Sequence, residues 1–210
     1  MISVDVRRKA FGTSEILRNV RFDMQDGQAI AILGASGIGK STLLRLIAGI
    51  DDAFEGEIVR PQAIAMVFQE PVLLPWRSVL ENLTLVHPTL GDAVARQALE
   101  RIGIGDKADL FPGQLSLGQQ RRLSLARAFA GRPALLVMDE PYVSLDPQTA
   151  QEMLELTEAL IAESRPSVIL VTHSESEARR LADRTFRLVG SPATLAEDTT
   201  SVPMSSEEPS

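Results

Sequence analysis

Hydrophobic and polar residues alternate at the start of the chain and then give way to an uninterrupted apolar run. Residues 2–6 and 20–24 alternate with a period of two, which predicts half-buried strands. Residues 29–33 are apolar throughout, as is typical of a strand that is buried on both faces. The polar segment 25–28 contains Asp26-Gly27 and is predicted to form a hairpin turn between the last two strands.

Short apolar runs and amphipathic stretches alternate through the rest of the chain. Strands are predicted at 63–68, 135–138 and 168–172, and helices at 41–48, around 153–161 and at 175–182. Residues 78–131 are mostly helical in pattern. This order predicts an α/β fold with a parallel sheet core, an N-terminal antiparallel β portion and a helical subdomain inserted at about residues 77–131. One domain is expected over 1–190, followed by a flexible polar tail over 191–210.

Composition and charge narrow the possible functions. The 210 residues are 44% hydrophobic, which is enough for a sizeable core. The net charge of -7 argues against a nucleic-acid partner, because such proteins carry a basic face. The chain has no Cys, so disulfides and thiolate chemistry are excluded. We expect a protein without a signal peptide or membrane helix, since no apolar run approaches the required length.

A glycine-rich segment between the apolar strand at 29–33 and the next helix has the spacing of a phosphate-binding loop. It comprises Gly34, Ala35, Ser36, Gly37, Ile38, Gly39, Lys40, Ser41 and Thr42. The glycines let backbone N–H groups point at phosphate oxygens, and the helix N-terminus adds to this. Lys40 is expected to reach the β and γ phosphates, Ser41 to bind Mg²⁺ and Thr42 to donate a further hydrogen bond. A glycine-rich turn without a ligand is the alternative, but the flanking strand and helix favour a P-loop NTPase.

Two adjacent carboxylates end the buried strand at 135–138. Beside a phosphate loop, Asp139 would hold Mg²⁺ through water, and Glu140 would act as the general base for the attacking water. Pro141 cannot continue the strand and leaves both acids at its end. An acidic strand-to-loop junction without function is the alternative reading of these two residues taken alone.

With these motifs in this order, the chain resembles an ATP-binding-cassette (ABC) ATPase over about residues 2–190. The resemblance implies binding and hydrolysis of ATP with Mg²⁺. It assigns Gln69 to the loop that contacts Mg²⁺ and the water, Asp146 to the D-loop, and His173 to the switch position near the γ phosphate. Phe11 suits the aromatic residue that stacks on adenine. Phe11 could instead be a core residue, Asp146 could be a helix cap, and His87 is interpreted as a loop residue.

The segment 115–119 matches the family's signature motif and implies a dimer. In the family two subunits pack head to tail, so that Ser116, Leu117, Gly118 and Gln119 of one complete the phosphate site of the other. Ser116 and the Gly118 N–H would donate to the γ phosphate, at a helix expected to start near Gln119. The family usually has Gly where this chain has Leu117, and Leu there would be strained if φ were positive. The second subunit could therefore be another copy or a different chain.

The segment 67–82 resembles the importer subunits of the nitrate, sulfonate and taurine group. The apolar loop at 71–76 could dock a coupling helix of a membrane permease, or Leu73, Leu74 and Trp76 could be core of the helical subdomain. The short chain leaves no room for fused membrane segments, so a separate permease and a solute-binding protein are expected. The subunit would then be peripheral, at the cytoplasmic face of the inner or plasma membrane. A non-transport ABC ATPase, or a regulatory subunit disabled by Leu117, are the competing hypotheses.

Overall fold

The computed structural model describes residues 1–197. Its strands are β1 (Ile2–Phe11), β2 (Ser14–Met24), β3 (Ala29–Leu33), β4 (Glu55–Val59), β5 (Ile64–Val67), β6 (Leu135–Asp139), β7 (Ser167–Val171), β8 (Arg184–Gly190) and β9 (Ala193–Glu197). Its helices are α1 (Lys40–Ile47), α2 (Val79–Thr84), α3 (Asp92–Arg101), α4 (Leu117–Ala130), α5 (Pro147–Ser164) and α6 (Glu175–Leu181), with short 3₁₀ turns at Gly105–Lys107 and Pro112–Gln114. No helix within residues 1–197 combines the length and the apolarity needed to cross a membrane.

The chain divides into two compact units. Of the described residues, the first unit contains Met1–Val59 and those from Ile169 to Glu197, and the second contains Arg60–Val168. The division falls within β7, which therefore contributes residues to both units. Each unit carries a different part of the predicted site.

The first unit is built on a mixed sheet with strand order β4-β1-β2-β9-β8-β3. β1 pairs with β2 and with β4 in antiparallel fashion, as predicted for the N-terminal portion. β3 is parallel to β8, and all five β3 residues are buried. The rings of Phe22 and Phe186 lie 5.6 Å apart between their centroids and join the antiparallel and parallel parts of this core.

The predicted hairpin at residues 25–28 is wrong. The turn itself forms, since the Gln28 amide donates to the Gln25 carbonyl at 3.1 Å. However, β2 pairs with β1 and β9, whereas β3 pairs with β8. A strand that is apolar on both faces is stable where both faces of the sheet are covered. β3 therefore lies in the parallel part of the sheet and does not pair with the half-exposed β2. The hairpin lies instead between β1 and β2, where Gly12 has φ of 59°.

The predicted polar tail is wrong for its first residues. Ala193–Glu197 form β9, which is antiparallel to β8 with Leu195 opposite Leu188. The polar composition of this segment disfavours a strand, but hydrogen bonds to β8 and the burial of Ala193 stabilise one. The remainder of the predicted tail, residues 198–210, lies outside the described part of the chain.

The second unit combines β5 and β6 with helices. The two strands are parallel and pair Ile64 with Leu135 through to Val67 with Met138. The chain between them forms α2, α3, α4 and the two 3₁₀ turns. These elements share one apolar core, which contains Val79, Leu80, Leu83, Ala95, Leu99, Ile102, Ile104, Ala108, Leu115, Leu123 and Ala126. A capping box of Ser78 and Glu81 starts α2 and fixes where the chain becomes helical after the 71–76 loop.

Candidate functional site

The phosphate loop connects β3 to α1 in the first unit. Gly37 and Gly39 have φ of 76° and 113°, which curves the backbone so that successive N–H groups can face one anion. Lys40 opens α1 and is only 5% exposed. Its Nζ donates to the carbonyls of Gly34 and Ala35 at 2.9 and 3.0 Å, which holds the ammonium group within the curve of the loop. The loop thus gathers amide donors and one buried cation, as a triphosphate requires.

β2 supports the end of this loop. A Cβ atom on Gly39 would lie 2.9 Å from Ile16 Cγ2 and 3.0 Å from Leu17 Cδ2, so β2 approaches the loop too closely for a side chain. A Cβ atom on Gly37 would meet nothing within 4 Å. The two glycines therefore share a positive φ but differ in their surroundings.

We expect Gly39→Ala to destabilise the protein more than Gly37→Ala. Gly37→Ala should lower the free energy of unfolding by about 1 kcal/mol, because only backbone strain is added. Gly39→Ala adds a clash with the fully buried Leu17 and should cost roughly 2–4 kcal/mol. Urea unfolding of the two variants measures the difference. Equal losses would show that the contact with β2 does not constrain the loop.

His173 leaves the sheet beside the start of the phosphate loop. The Thr172 amide donates to the Ile32 carbonyl at 3.3 Å, so His173 and Gly34 follow neighbouring strand positions. The Thr172 hydroxyl accepts from the Ser174 amide at 3.0 Å and donates to Glu177, and Ser174 caps α6. These bonds fix the backbone on both sides of the exposed imidazole. The first unit therefore places His173 next to the strand position from which the phosphate loop starts.

Phe11 ends β1 with its ring 56% exposed, so it is not a core residue. Lys9, which sequence reasoning missed, lies beneath it with Nζ 4.6 Å from the ring centroid. The Lys9 side chain is 2% exposed and donates to Asp51 at 2.7 Å and to the Ala53 carbonyl at 2.8 Å. The hydrogen bond from Lys9 lowers the pKa of Asp51. A buried, doubly anchored cation thus covers one part of the ring, and the exposed part is available for stacking.

In the second unit, three predicted residues emerge at one edge of the sheet. Because β5 and β6 are parallel with Val67 opposite Met138, the residues that follow leave the strands side by side. Gln69 and Glu140 each lie two positions beyond that pair, with Asp139 between Met138 and Glu140. Asp139 is 7% exposed, whereas Gln69 is exposed and Glu140 is half-buried. An amide and two carboxylates therefore share the carboxyl end of this strand pair.

The Glu140 backbone adopts a conformation that is unusual for a residue with a side chain. Its φ is 44°, in the left-handed region. The chain then turns sharply, with the Val143 amide at 3.3 Å from the Glu140 carbonyl. Such a residue costs of order 1–3 kcal/mol and persists where its surroundings over-determine it. The surrounding residues therefore hold the Glu140 backbone in this conformation, and that fixes the direction in which the side chain leaves the chain.

The signature residues form the start of α4. Ser116 is the N-cap: its Oγ accepts from the Gln119 amide at 3.2 Å, and the Ser116 amide donates to Gln119 Oε1 at 2.9 Å. The helix thus begins at Leu117, earlier than the predicted start near Gln119. A Cβ atom on Gly118 would lie 2.9 Å from Thr149 Cγ2, so this glycine permits close packing against the start of α5.

The backbone strain that a positive φ would cause at Leu117 is absent. Leu117 is the first residue of α4 and is absent from the positive-φ residues of the described chain. The capping box places the turn before position 117, so a side chain fits there without backbone cost. Leu117 is 43% exposed. What Leu117 changes, relative to the Gly that is usual in the family, is therefore the bulk of the side chain at this surface.

Asp146 is the N-cap of α5, so the helix-cap reading is correct. Its side chain accepts from the Thr149 amide at 3.0 Å. The hydrogen bond from Thr149 lowers the pKa of Asp146. With the signature residues, Ser144 and Asp146 line an open groove of about 400 Å³. The second unit therefore joins the predicted signature and D-loop on one surface.

A pair of substitutions tests the capping role of Asp146. Because its folded pKa is lowered, the charged cap stabilises the protein above the unfolded pKa of about 3.9 and is lost as the pH falls through the folded pKa. We expect Asp146→Asn, which can still cap, to retain most stability at neutral pH, and Asp146→Ala to lose more. The stability advantage of wild type over Asp146→Asn should shrink below pH 4, as measured by urea unfolding. An advantage that grows on acidification would contradict the assignment.

His87 has a structural role in the second unit. It follows α2, and its Nε2 lies 2.8 Å from the Arg127 carbonyl on α4. A Cβ atom on Gly131 would lie 2.5 Å from His87 Cε1, so the ring packs against the end of that helix. His87 joins two helices in the described structure.

A phosphate loop after one buried parallel strand, with paired acids after another, defines the class of P-loop NTPases. Residues 17–143 match the family model described as ABC transporter. The aliphatic sulfonates import ATP-binding protein SsuB of Mycobacterium sp. (strain MCS) is 44% identical over 190 residues, covering 88% of this chain and 78% of that protein. SsuB 1 of Paracoccus denitrificans (strain Pd 1222) is 44% identical over 202 residues, covering 93% and 82%.

A similar solved structure is the dimeric, post-hydrolysis state of the ATP-binding cassette MJ0796 bound to ADP and Pi. It has a TM-score of 0.79 and 28% identity, and the match covers 94% of this chain and 98% of that chain. The chain belongs to the ABC transporter family. It is an ATP-binding subunit whose ATPase activity powers transport.

Proposed function

We propose that this chain binds Mg-ATP on its phosphate loop and hydrolyses it to drive import of a small organic anion, with aliphatic sulfonates as the first class to test. The observation that carries the proposal is the phosphate loop with buried Lys40, together with Glu140 beside Gln69 in the second unit. The sulfonate class comes from the SsuB relatives, whose names state that substrate.

Mg²⁺ suits the oxygen donors that this chain offers. Ser41 follows Lys40 on α1, and Asp139 and Gln69 lie at the edge formed by β5 and β6. Within residues 1–197 no three His, Asp or Glu side chains gather into a protein-only metal site. Mg²⁺ is commonly held by one or two protein groups together with substrate phosphates and water, and hydroxyl, amide and carboxylate oxygens suit it. When bound, Mg²⁺ would neutralise charge on the phosphates.

The remaining site residues divide the work of hydrolysis. Glu140 would accept the proton of the attacking water, and Gln69 would orient that water. Lys40 and the loop amides would stabilise negative charge on the β and γ phosphates. The imidazole of His173 would contact the γ phosphate from the first unit. The roles of Gln69 and His173 are those that the resemblance to ABC ATPases implies, and the position of each residue after a strand is consistent with them.

Stacking on Phe11 would select the adenine base. We expect Phe11→Ala to weaken binding of ATP by about 10-fold, since base stacking contributes roughly 1–3 kcal/mol. Lys9→Met should weaken it by about threefold, because loss of the cation frees the ring. Neither change should alter binding of magnesium tripolyphosphate, which has no base. Calorimetric titration measures both ligands, and equal losses for the two would contradict base stacking.

The signature surface indicates a second ATP-binding subunit. The groove lined by Ser116, Gly118 and Asp146 is open, and the Ser116 hydroxyl still has its own proton to donate. A head-to-tail pair would place this groove over the partner's phosphates. The MJ0796 structure is described as a dimer, which supports the pairing. With Leu117 unstrained, a homodimer is the simpler arrangement.

The loop at 71–76 offers an exposed surface for a membrane permease. Val72 and Trp76 are 55% and 68% exposed, whereas Leu73 packs against the helical core. The core alternative therefore holds for Leu73 and not for Trp76. Exposed apolar side chains on this loop are typical of a surface that binds another protein. Docking would hold the subunit peripherally at the cytoplasmic face of the membrane, with a solute-binding protein supplying the anion.

Uptake in the source organism tests the proposal. Deletion of the gene should abolish uptake of a radiolabelled alkanesulfonate, and wild-type protein should restore it. Protein with Glu140→Gln should not restore uptake, and detergent extracts should contain the tagged chain bound to an integral-membrane protein. Undiminished sulfonate uptake after deletion would reject that substrate. A chain that binds ATP without releasing phosphate in its complex would instead indicate a regulatory subunit.

A further inference from the structure

Arg121 is a buried guanidinium on α4 that follows the signature residues. Its side chain is enclosed, with the residue 6% exposed. Nη1 donates to the Pro141 carbonyl at 2.8 Å and Nη2 donates to the Val143 carbonyl at 2.8 Å. Both carbonyls belong to the turn that begins at Glu140. One side chain thus spans the segment that carries the general base.

This turn needs such external support. Glu140 has φ of 44°, and the Val143 amide is 3.3 Å from the Glu140 carbonyl, which is long for a hydrogen bond. Pro141 has no N–H with which to strengthen the turn. The two bonds from Arg121 are short by comparison and involve a charged donor, which makes them stronger than neutral ones.

Arg121 donates to backbone carbonyls although the carboxylate of Glu70 also interacts with its charge. Burial lowers the pKa of Arg121, and the charge of Glu70 raises it. The guanidinium stays protonated at neutral pH in either case. Its planar fork can reach two carbonyls at once, which a Lys ammonium on a flexible stem cannot do with the same geometry. A small cavity beside it is lined by Phe68 and Pro71 from one loop and by Tyr142 from the other.

We propose that Arg121 is a positioning residue for ATP hydrolysis, which fixes the direction of Glu140 through the carbonyls of Pro141 and Val143. The inference rests on the proposed role of Glu140 as general base. Since Ser116 caps the start of α4 and Arg121 lies on that helix, α4 joins the signature surface to the Glu140 turn. Movement of the signature end would thereby reach the general base of the same subunit.

Replacement of Arg121 by Gln should slow hydrolysis without weakening ATP binding. In the detergent-purified complex, kcat for Arg121→Gln should fall roughly 10- to 100-fold, as small displacements of a catalytic group typically cause. KM for ATP should stay within about twofold, because none of the proposed ATP contacts, on the phosphate loop, Phe11 and His173, involves Arg121. Arg127→Gln is the matched control, since Arg127 is a partly buried arginine at the other end of α4. Its kcat should match wild type.

A double mutant separates positioning from general damage. In the Glu140→Gln background, Arg121→Gln should cause no further loss of kcat, because the group that it positions is gone. An equal loss in both backgrounds, or a parallel loss of ATP affinity, would overturn the inference. If Glu140→Gln itself keeps wild-type turnover, the proposed function fails independently of Arg121.

Thermal unfolding shows whether Arg121→Gln is folded at the assay temperature. If Arg121→Gln unfolds below the assay temperature, Arg121→Lys is tested in its place, because it keeps the charge and one hydrogen bond. It should give a kcat between those of wild type and Glu140→Gln, with ATP affinity unchanged. A folded Arg121→Lys variant with wild-type kcat would overturn the positioning role.

Discussion

Glu140→Gln is expected to lower ATP turnover by about 10²- to 10⁴-fold while leaving Mg-ATP binding intact, since this is the range for loss of a general base. The substitution keeps the size and hydrogen-bonding shape of the side chain but removes its basicity. Glu140 lies at the carboxyl end of β6 beside Gln69, and its φ of 44° directs it away from the strand. Phosphate release by the permease-containing complex at saturating Mg-ATP measures the effect.

An exposed carboxylate supplies the control for Glu140. Glu155 is exposed on α5 and accepts a hydrogen bond from Gln151. Glu155→Gln should therefore keep wild-type turnover. Calorimetry should give Glu140→Gln an affinity for Mg-ATP close to that of wild type. Wild-type turnover in Glu140→Gln, or a loss of ATP affinity that accounts for its slower rate, would contradict the role of general base.

Lys40→Met is expected to weaken Mg-ATP binding on the order of 100-fold or more. The ammonium group is buried in the curve of the phosphate loop, where it contacts the Gly34 and Ala35 carbonyls. Hydrogen bonds to charged groups contribute about 1.5–3 kcal/mol each, so the loss of two such bonds to phosphate oxygens gives this effect. Met fills similar space, which limits any structural loss. Titration calorimetry with Mg-ATP measures the change.

The matched control for Lys40 is Lys107, a partly exposed lysine in a 3₁₀ turn of the second unit that pairs with Asp106. Lys107→Met should bind Mg-ATP as wild type does. Unfolding in urea should show that Lys40→Met remains folded under the titration conditions. Unaltered affinity in folded Lys40→Met would show that the loop does not bind phosphate in the way described.

Much of the fold could be predicted because its strands have simple patterns. β3, β6 and β7 are apolar at nearly every position, and this pattern identifies strands buried on both faces. The pairing of strands could be predicted less well from the sequence. The turn at 25–28 has the pattern of a hairpin, although β2 and β3 have different neighbours. β9 was missed because its residues are weakly apolar and are ordered by the ladder with β8.

The contiguous parts of the candidate site could be predicted, because each motif places its own groups. Lys40 and Glu140 were identified from local spacing alone. Lys9 was missed because the pairing of β1 with β4 shifts between Val6 and Arg8, which turns Lys9 toward the buried side. Arg121 was missed because its partners lie in a loop distant along the chain. The lack of strain at Leu117 could not be foreseen, because it depends on the capping box that starts α4 at this residue.

Release of inorganic phosphate from Mg-ATP, by the chain purified with its permease in lipid vesicles, tests the central claim most directly. We expect saturable release in which wild type far exceeds both Glu140→Gln and Lys40→Met. The first variant should still bind Mg-ATP and the second should bind it poorly. Phosphate release that is no faster with the wild-type chain than with either variant would contradict the account.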